Sequence, residues 1–260
     1  MTVLLRLSLA EMNIRINNNS KHKYICIQCG SSVRELYKQF SNSLKTVHCE
    51  NCHKVADKYI EFDSIIILVD SVLLSEQTFR HMLYNSDFKL YWKLSVVLLL
   101  LESFALWRQK RVDIAELKTH DLHEVHEQGF YLCCLQNIAD YAIITLLLLM
   151  STLLQRRADE VLPNTSSLCL TLLKAISIAN FSKFFLLPIL LWRANTTELG
   201  TAIHHLLVMC HHLLSLISIY AVVSRQKKLR AALIVLPAFL TKQYLKSQIS
   251  VFIEEHFKTS

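Results

Sequence analysis

Apolar residues are concentrated in the last two thirds of the chain. After Tyr91 they form runs of 17 to 26 residues, whereas residues 1–90 mix short apolar patches with charged side chains. Runs of this length suit helices that cross about 30 Å of hydrocarbon, which takes about 20 residues. The pattern therefore predicts a mainly α fold, in which a polytopic membrane helix bundle of four or five spans follows a small polar N-terminal part.

Four of the apolar runs are clear spans, and the fifth segment is ambiguous. Residues 229–240 are apolar apart from Arg230, but the segment then meets Lys242 and Lys246. Because ionisable residues are costly in hydrocarbon, a short tilted span, a re-entrant segment and a surface helix all remain open for it. We predict spans at residues 91–107, 130–154, 167–192 and 201–223, with the fifth segment at 229–253.

The stretch before the first span has a helical period of its own. On a helical projection Asp63 and Asp70 fall on one side, and Ile65 and Val72 fall on the other. The acidic residues make a spanning role costly. We predict an amphipathic helix over residues 63–88 that lies along the membrane surface or packs on the module before it.

Composition supports a membrane protein and argues against a nucleic-acid partner. The chain has 260 residues, of which 52% are hydrophobic and 19% are charged, with a formal net charge of +7. Its cations cluster beside the apolar runs, as expected for the basic flanks of membrane spans. These clusters are Trp107 to Arg111, Gln155 to Arg157 and Ser224 to Arg230.

Four of the eight cysteines form two CxxC pairs in the polar N-terminal part. Cys26 and Cys29 are separated by 19 residues from Cys49 and Cys52. Two such turns can direct four thiolates at one ion, and this spacing is typical of a four-cysteine zinc ribbon. Gly30 suits such a turn because it tolerates a positive φ. Four thiolates leave no open position, so the predicted cofactor is a structural zinc ion.

Three alternatives concern the cysteines and histidines. Two disulfides or a redox CxxC would also use paired cysteines, but one metal explains two pairs at this spacing more simply. The sequence "HHLLVMCHH" suggests a histidine site in the fourth span. However, His204 and His211 are seven residues apart, about 10.5 Å along a helix, too far to share one ion. The remaining cysteines are interpreted as small apolar residues of the spans: Cys133, Cys134, Cys169 and Cys210.

Several ionisable residues fall inside the predicted spans, namely Glu102, Asp140, Lys174 and Lys183. They are expected to line a polar interior path or to pair within the bundle, since a lone charge is costly there. The loop "HDLHEVHE" has chelating spacing, but a polar interhelical loop is the commoner explanation. No nucleophile elbow, P-loop, GxGxxG or HExxH motif occurs.

The join between the cysteine module and the helix strongly resembles the Arv homology domain. The shared elements are "CIQCG", "HCENC", "DKYIEFD" and "RHMLYN", in this order, over Tyr24 to Asn85. The resemblance implies that the cysteines are zinc ligands. The signature residues are interpreted either as structural elements or as lipid or partner contacts: Asp57, Tyr59, Glu61, Asp63, Arg80 and His81.

Members of that family are endoplasmic-reticulum membrane proteins implicated in sterol and lipid distribution and in supporting the synthesis of glycosylphosphatidylinositol (GPI) anchors. The resemblance therefore implies a non-enzymatic protein of that membrane, with membrane lipids, sterols and GPI-anchor biosynthesis proteins as partners. An enzyme or a subunit of a GPI-anchor pathway, and a scramblase-like bundle, are the alternatives. Thiolates that must stay reduced favour a cytosolic zinc ribbon.

These predictions together give a domain organisation in four parts. Residues 1–22 form a polar tail, 23–62 the zinc ribbon, 63–88 the amphipathic helix and 89–260 the transmembrane bundle.

Overall fold

The computed structural model describes residues 24–40, 43–117, 128–156, 165–187 and 197–258. It is mostly helical and divides into two compact units, Met1–Lys58 and Tyr59–Ser260. The predicted polar tail and the histidines of "HDLHEVHE" lie outside the described residues, as does the end of the predicted third span beyond Leu187.

The first unit holds two short antiparallel hairpins around a small core. In register, Tyr24 pairs with Val33, and Tyr37 pairs with Thr46. The strands are too short to form a core between sheets, and the buried side chains include two cysteines and Ile27. The strands are β1 (Tyr24–Ile25), β2 (Ser32–Val33), β3 (Tyr37–Phe40) and β4 (Ser43–Thr46).

The regular structure in the described residues of the second unit is all helical. A 3₁₀ helix at Tyr59–Glu61 and two short helices precede five longer ones. Two of the helices end in wider or tighter turns: a π-helical turn at His81–Asn85 and a 3₁₀ segment at Asn180–Phe185. The helices are α1 (Ser64–Val72), α2 (Glu76–Arg80), α3 (Lys89–Leu117), α4 (Gln128–Arg156), α5 (Thr165–Ala179), α6 (Glu198–Ser224) and α7 (Lys228–Lys258).

The structure divides the predicted amphipathic helix into α1 and α2. Leu74 adopts a left-handed φ of 60°. The Ser75 N–H donates to the Asp70 carbonyl at 3.1 Å, and the Leu74 N–H donates to the Ser71 carbonyl at 3.1 Å. These two bonds form a Schellman motif, which ends a helix. The helical period did not indicate this end because a leucine occupies the position where glycine is usual.

The four predicted spans are confirmed by the length and composition of the helices. Their ends differ by at most two residues from those predicted, except where the third reaches residues outside the described ranges. The observed spans are Lys89–Gln109, Gly129–Gln155, Ser167–Phe185 and Leu199–Ser224.

The ambiguous fifth segment is one continuous helix, α7, which packs on α4 and α6. Its leucines Leu233 and Leu240 face outward, whereas Lys242 and Lys246 are half-buried on the side that faces the bundle. The helix has 31 residues, more than a crossing needs. The lysines that argued against a span thus point away from the apolar face.

Charged and polar side chains join the long helices inside the bundle. Lys183, in the 3₁₀ segment after α5, forms an ion pair with Glu102 of α3. Lys246 of α7 lies 2.8 Å from the Asp140 carboxylate of α4. The expected pairing of span charges is therefore observed for these residues, while Lys174 lies 5.4 Å from the centre of the Phe88 ring.

Candidate functional site

The four CxxC cysteines converge in the first unit. All four sulfur atoms lie within 4.8 Å of one another. The Cys26 and Cys52 sulfurs are 3.7 Å apart, as are those of Cys29 and Cys49. A tetrahedral zinc with bonds of about 2.3 Å holds its sulfurs about 3.8 Å apart. The residues therefore fit a tetrahedral metal ion, and all four cysteines are free rather than joined in disulfides.

The two CxxC turns share one backbone geometry. The Gly30 N–H donates to the Cys26 carbonyl at 2.9 Å, and the His53 N–H donates to the Cys49 carbonyl at 2.8 Å. Both donors follow the second cysteine of their pair and have positive φ angles, 76° at Gly30 and 57° at His53. The second turn is therefore equivalent to the first, although it places a non-glycine residue in a left-handed conformation.

Ser31 supplies a hydroxyl to the cysteine cluster, which the sequence analysis did not single out. Its oxygen lies 2.9 Å from the Cys29 sulfur and 3.2 Å from that of Cys49. The Ser31 side chain is the main cause of a lowered pKa at Cys49. At Cys29 burial opposes ionisation, but hydrogen bonds from Ser31, Asn51 and Cys49 outweigh it and lower the pKa to about 6. Ser31 thus favours the thiolate form that a metal requires.

Cys26 differs from these two ligands because burial raises its pKa to about 12. A metal ion would displace a proton there, since the bound form of cysteine is the thiolate. Because a metal competes with protons for thiolates, affinity at this site falls as pH falls.

The other cysteines and the span histidines form no second metal cluster among the described residues. Cys133 is buried, as expected, whereas Cys210 is exposed. His212 bonds with the Ser182 hydroxyl at 3.1 Å rather than with another histidine. The described histidines of the fourth span therefore hydrogen-bond to neighbours or line the helix surface, as their spacing suggested.

Tyr59 is the centre of a hydrogen-bond network in the signature segment. Its side chain is 1% exposed, and its hydroxyl donates to the Asp70 carboxylate at 2.8 Å and accepts from the Thr78 hydroxyl at 2.7 Å. The rings of Phe62 and His81 pack against it at centroid distances of 5.6 and 5.5 Å. Tyr59 thereby ties the segment before α1 to both short helices, which supports the structural interpretation of Tyr59 and His81.

The remaining signature residues occupy different environments. Asp57 is buried, whereas Glu61 and Asp63 are exposed. Asp63 lies at the N-cap of α1, but its side chain makes no capping hydrogen bond. Arg80 forms an ion pair with Glu76 at 3.5 Å, which spans one turn of α2. The structure therefore does not gather the signature residues into one site.

Helix α1 turns its apolar side outward. Ile65, Val69 and Leu73 are 73%, 52% and 71% exposed, while Ser71 is buried. Large apolar side chains that share one exposed face mark a contact with lipid or with another protein. The amphipathic character that the sequence predicted is thus present, with the polar side turned toward the rest of the second unit.

The end of α1 is held by a histidine of the fourth span. The His211 Nε2 atom lies 2.8 Å from the carbonyl oxygen of Val72, to which it donates. His211 is near the middle of the span Leu199–Ser224. The end of α1 therefore lies beside the middle residues of this span.

Comparison with known proteins shows a family match over most of the residues described above. The model of the Arv1-like family matches residues 25–216, which include the cysteine cluster, both short helices and most of the bundle. Protein ARV1 of Bos taurus is 32% identical over 183 residues, covering 68% of this chain and 62% of the relative. Protein ARV1 of Homo sapiens is 30% identical, with 68% and 65% covered. Protein ARV 2 of Arabidopsis thaliana is 28% identical, with 66% and 74% covered.

The chain spans less than two thirds of the length of the two mammalian relatives. No solved structure matches it significantly.

We expect Tyr59→Phe to destabilise the second unit. The change removes the hydroxyl and leaves Thr78 and Asp70 without a buried partner, which costs about 1–3 kcal/mol. The thermal unfolding midpoint of the purified protein in detergent should fall. Tyr244→Phe is the matched control, because Tyr244 is 66% exposed and its hydroxyl has no such network. Equal midpoints for the two variants would contradict a structural role for Tyr59.

We expect Gly30→Ala to weaken metal binding and His53→Gly to leave it unchanged or strengthen it. A Cβ at Gly30 meets nothing within 4 Å, so alanine would add only backbone strain. That strain is about 1–2 kcal/mol, equivalent to about 5- to 30-fold weaker binding. His53→Gly removes the same kind of strain, so its affinity should equal or exceed that of the wild type. Competition with a chelator measures the Zn²⁺ affinity of the wild type and of both variants. Weaker Zn²⁺ binding by His53→Gly would argue against equivalent turns.

Proposed function

The chain belongs to the Arv1-like family, and on this premise we propose that it is an endoplasmic-reticulum membrane protein that mediates or regulates the intracellular distribution of sterols and other membrane lipids. In this proposal it acts without catalysing a reaction, and its partners are membrane lipids and sterols. GPI-anchor biosynthesis proteins are the proposed protein partners.

The observation that carries the proposal is the position of α1 beside the fourth span. Its outward face presents Ile65, Val69 and Leu73, and its end is bonded to His211. Burying one such side chain is worth about 1.5–3 kcal/mol relative to leaving it in water, and lipid hydrocarbon can provide that burial. A helix of nine residues is too short to cross a bilayer. It suits a place where the apolar part of a lipid meets a protein surface part-way into the membrane.

We propose zinc as the metal of the cysteine cluster. The CxxC spacing and the sulfur separations of 3.7 Å support this choice, since four thiolates in a tetrahedron are typical of structural zinc. With all four positions filled, the ion would stabilise the fold of the first unit and take no part in catalysis. A cytosolic location keeps the thiolates reduced.

A scramblase-like bundle is the second candidate. The ion pairs Glu102–Lys183 and Asp140–Lys246 favour it, because charged residues within spans often mark a polar path.

A liposome assay tests the main proposal. We expect the purified protein to accelerate transfer of labelled sterol between vesicles, and a double variant Ile65→Ser, Val69→Ser to reduce the rate at least fivefold because the apolar face is lost. Leu135→Ser is the control, since Leu135 is also exposed, at 59%, but lies on α4. Movement of lipid only between the leaflets of one vesicle would support the scramblase. Turnover of lipid without movement would indicate an enzyme and overturn both proposals.

Metal analysis tests the choice of zinc. We expect about one zinc per chain in the full-length protein, because the four thiolates complete one tetrahedral site. Cys49→Ser should lose the ion, whereas Cys210→Ser should keep it, since Cys210 lies outside the cluster. Retention of a full equivalent of zinc by Cys49→Ser, or a different metal in the wild type, would overturn the assignment.

A further inference from the structure

A cavity of about 240 Å³ opens among α3, the segment that follows α5, α6 and α7, within the second unit. Its lining includes the apolar side chains of Leu106, Val208 and Phe239. It also carries the side chains of Glu102, Lys183, His212, Lys242 and Lys246. A cavity lined by both charged groups and hydrocarbon fits an amphipathic ligand.

The charges around the cavity do not balance. Glu102 is paired with Lys183, and Lys246 is paired with Asp140. Lys242 adds a third ammonium group, whose charged atom lies 5.6 Å from the ring centre of Phe239 on its own helix. Within the described part of the chain Lys242 has no carboxylate partner. The cluster therefore holds one more cation than anions.

The cavity extends from the interior of the first span to its end. Glu102 lies well inside the span Lys89–Gln109, while Gln109 is its last residue and also lines the cavity. Lipid headgroups occur at the ends of spans. The lining therefore includes one residue at the end of the span, where headgroups lie, and one residue inside it.

We propose that this cavity binds the phosphate group of an anionic lipid, with the phosphate at Lys242 and the first part of the hydrocarbon against the apolar lining residues. A phosphate supplies the negative charge that the cluster lacks, and lysine is a common phosphate ligand. A neutral sterol supplies none. The volume is below the 300–1,000 Å³ typical of sites that enclose a whole drug-sized ligand, so it holds a headgroup while the chains stay in the bilayer. The choice of a lipid over a soluble phosphate rests on the proposed function.

Binding measurements in nanodiscs test the site. The full-length protein is placed in phosphatidylcholine nanodiscs with increasing fractions of phosphatidic acid, and bound lipid is quantified by native mass spectrometry. We expect Lys242→Gln to bind phosphatidic acid at least fivefold more weakly, and Lys242→Arg to keep most of the affinity. Lys93→Gln removes the same charge from an exposed position on α3 and should bind like the wild type. Thermal unfolding midpoints establish that each variant is folded.

Three results would overturn the proposal. Equal losses in Lys242→Gln and Lys93→Gln would indicate general surface charge. Unchanged binding in a folded Lys242→Gln variant would exclude a role for this lysine. Should Lys242→Gln fail to fold, Ala105→Leu provides a second test, because Ala105 also lines the cavity and a larger side chain there would fill it. Normal binding by Ala105→Leu would then exclude the cavity.

Inorganic phosphate is tested separately in pure phosphatidylcholine nanodiscs. Binding that depends on Lys242 and persists when phosphatidic acid is added would support the anion site and overturn its assignment to a lipid. Failure of the site and failure of the proposed function are also distinguishable. Binding of phosphatidic acid through Lys242 without lipid transfer would support the site and overturn the proposed function. Lipid transfer without this binding would support the proposed function and overturn the site.

Discussion

Charge compensation inside an apolar bundle is the constraint on which the second unit depends. An ion moved from water into an apolar interior loses several kcal/mol of solvation, so each buried charge needs a partner at close range. Glu102 and Lys183 bring α3 and the end of α5 together, and Asp140 and Lys246 do the same for α4 and α7. Apolar faces interdigitate in a few preferred ways, and an ion pair forms in one alignment. These pairs therefore add to the register that the apolar packing gives the helices.

The parts of the fold that depend on local sequence were predictable. Span length and hydropathy are properties of one segment, and the four spans were placed closely by them. The cysteine cluster followed from the CxxC spacing, because each turn positions its own two sulfurs. By contrast, the partner of Glu102 lies 81 residues away, and nothing in either segment identifies it. Pairing of distant residues is a property of packing.

One local feature escaped prediction and one segment stayed ambiguous, for identifiable reasons. The end of α1 depends on Leu74 in a left-handed conformation, where glycine would have been a visible signal. The segment around Lys242 and Lys246 stayed ambiguous because hydropathy averages all sides of a helix, and both lysines lie on the side of α7 that faces the bundle. Ser31 carried only a weak signal, as a small hydroxyl residue directly after a CxxC turn. Backbone conformation at Leu74 and side-chain direction at the lysines and Ser31, and not the chemical type of the residues, decided these cases.

The bond between His211 and Val72 has a consequence for biosynthesis. The two residues are separated by 139 positions in the chain. At synthesis rates of about 5–20 residues per second, α1 leaves the ribosome roughly 7–28 s before its partner on the fourth span has been made. During this interval the Val72 carbonyl lacks its hydrogen bond to the fourth span. The end of α1 is therefore completed only after most of the chain has been made, and the order of translation becomes part of how the protein is assembled.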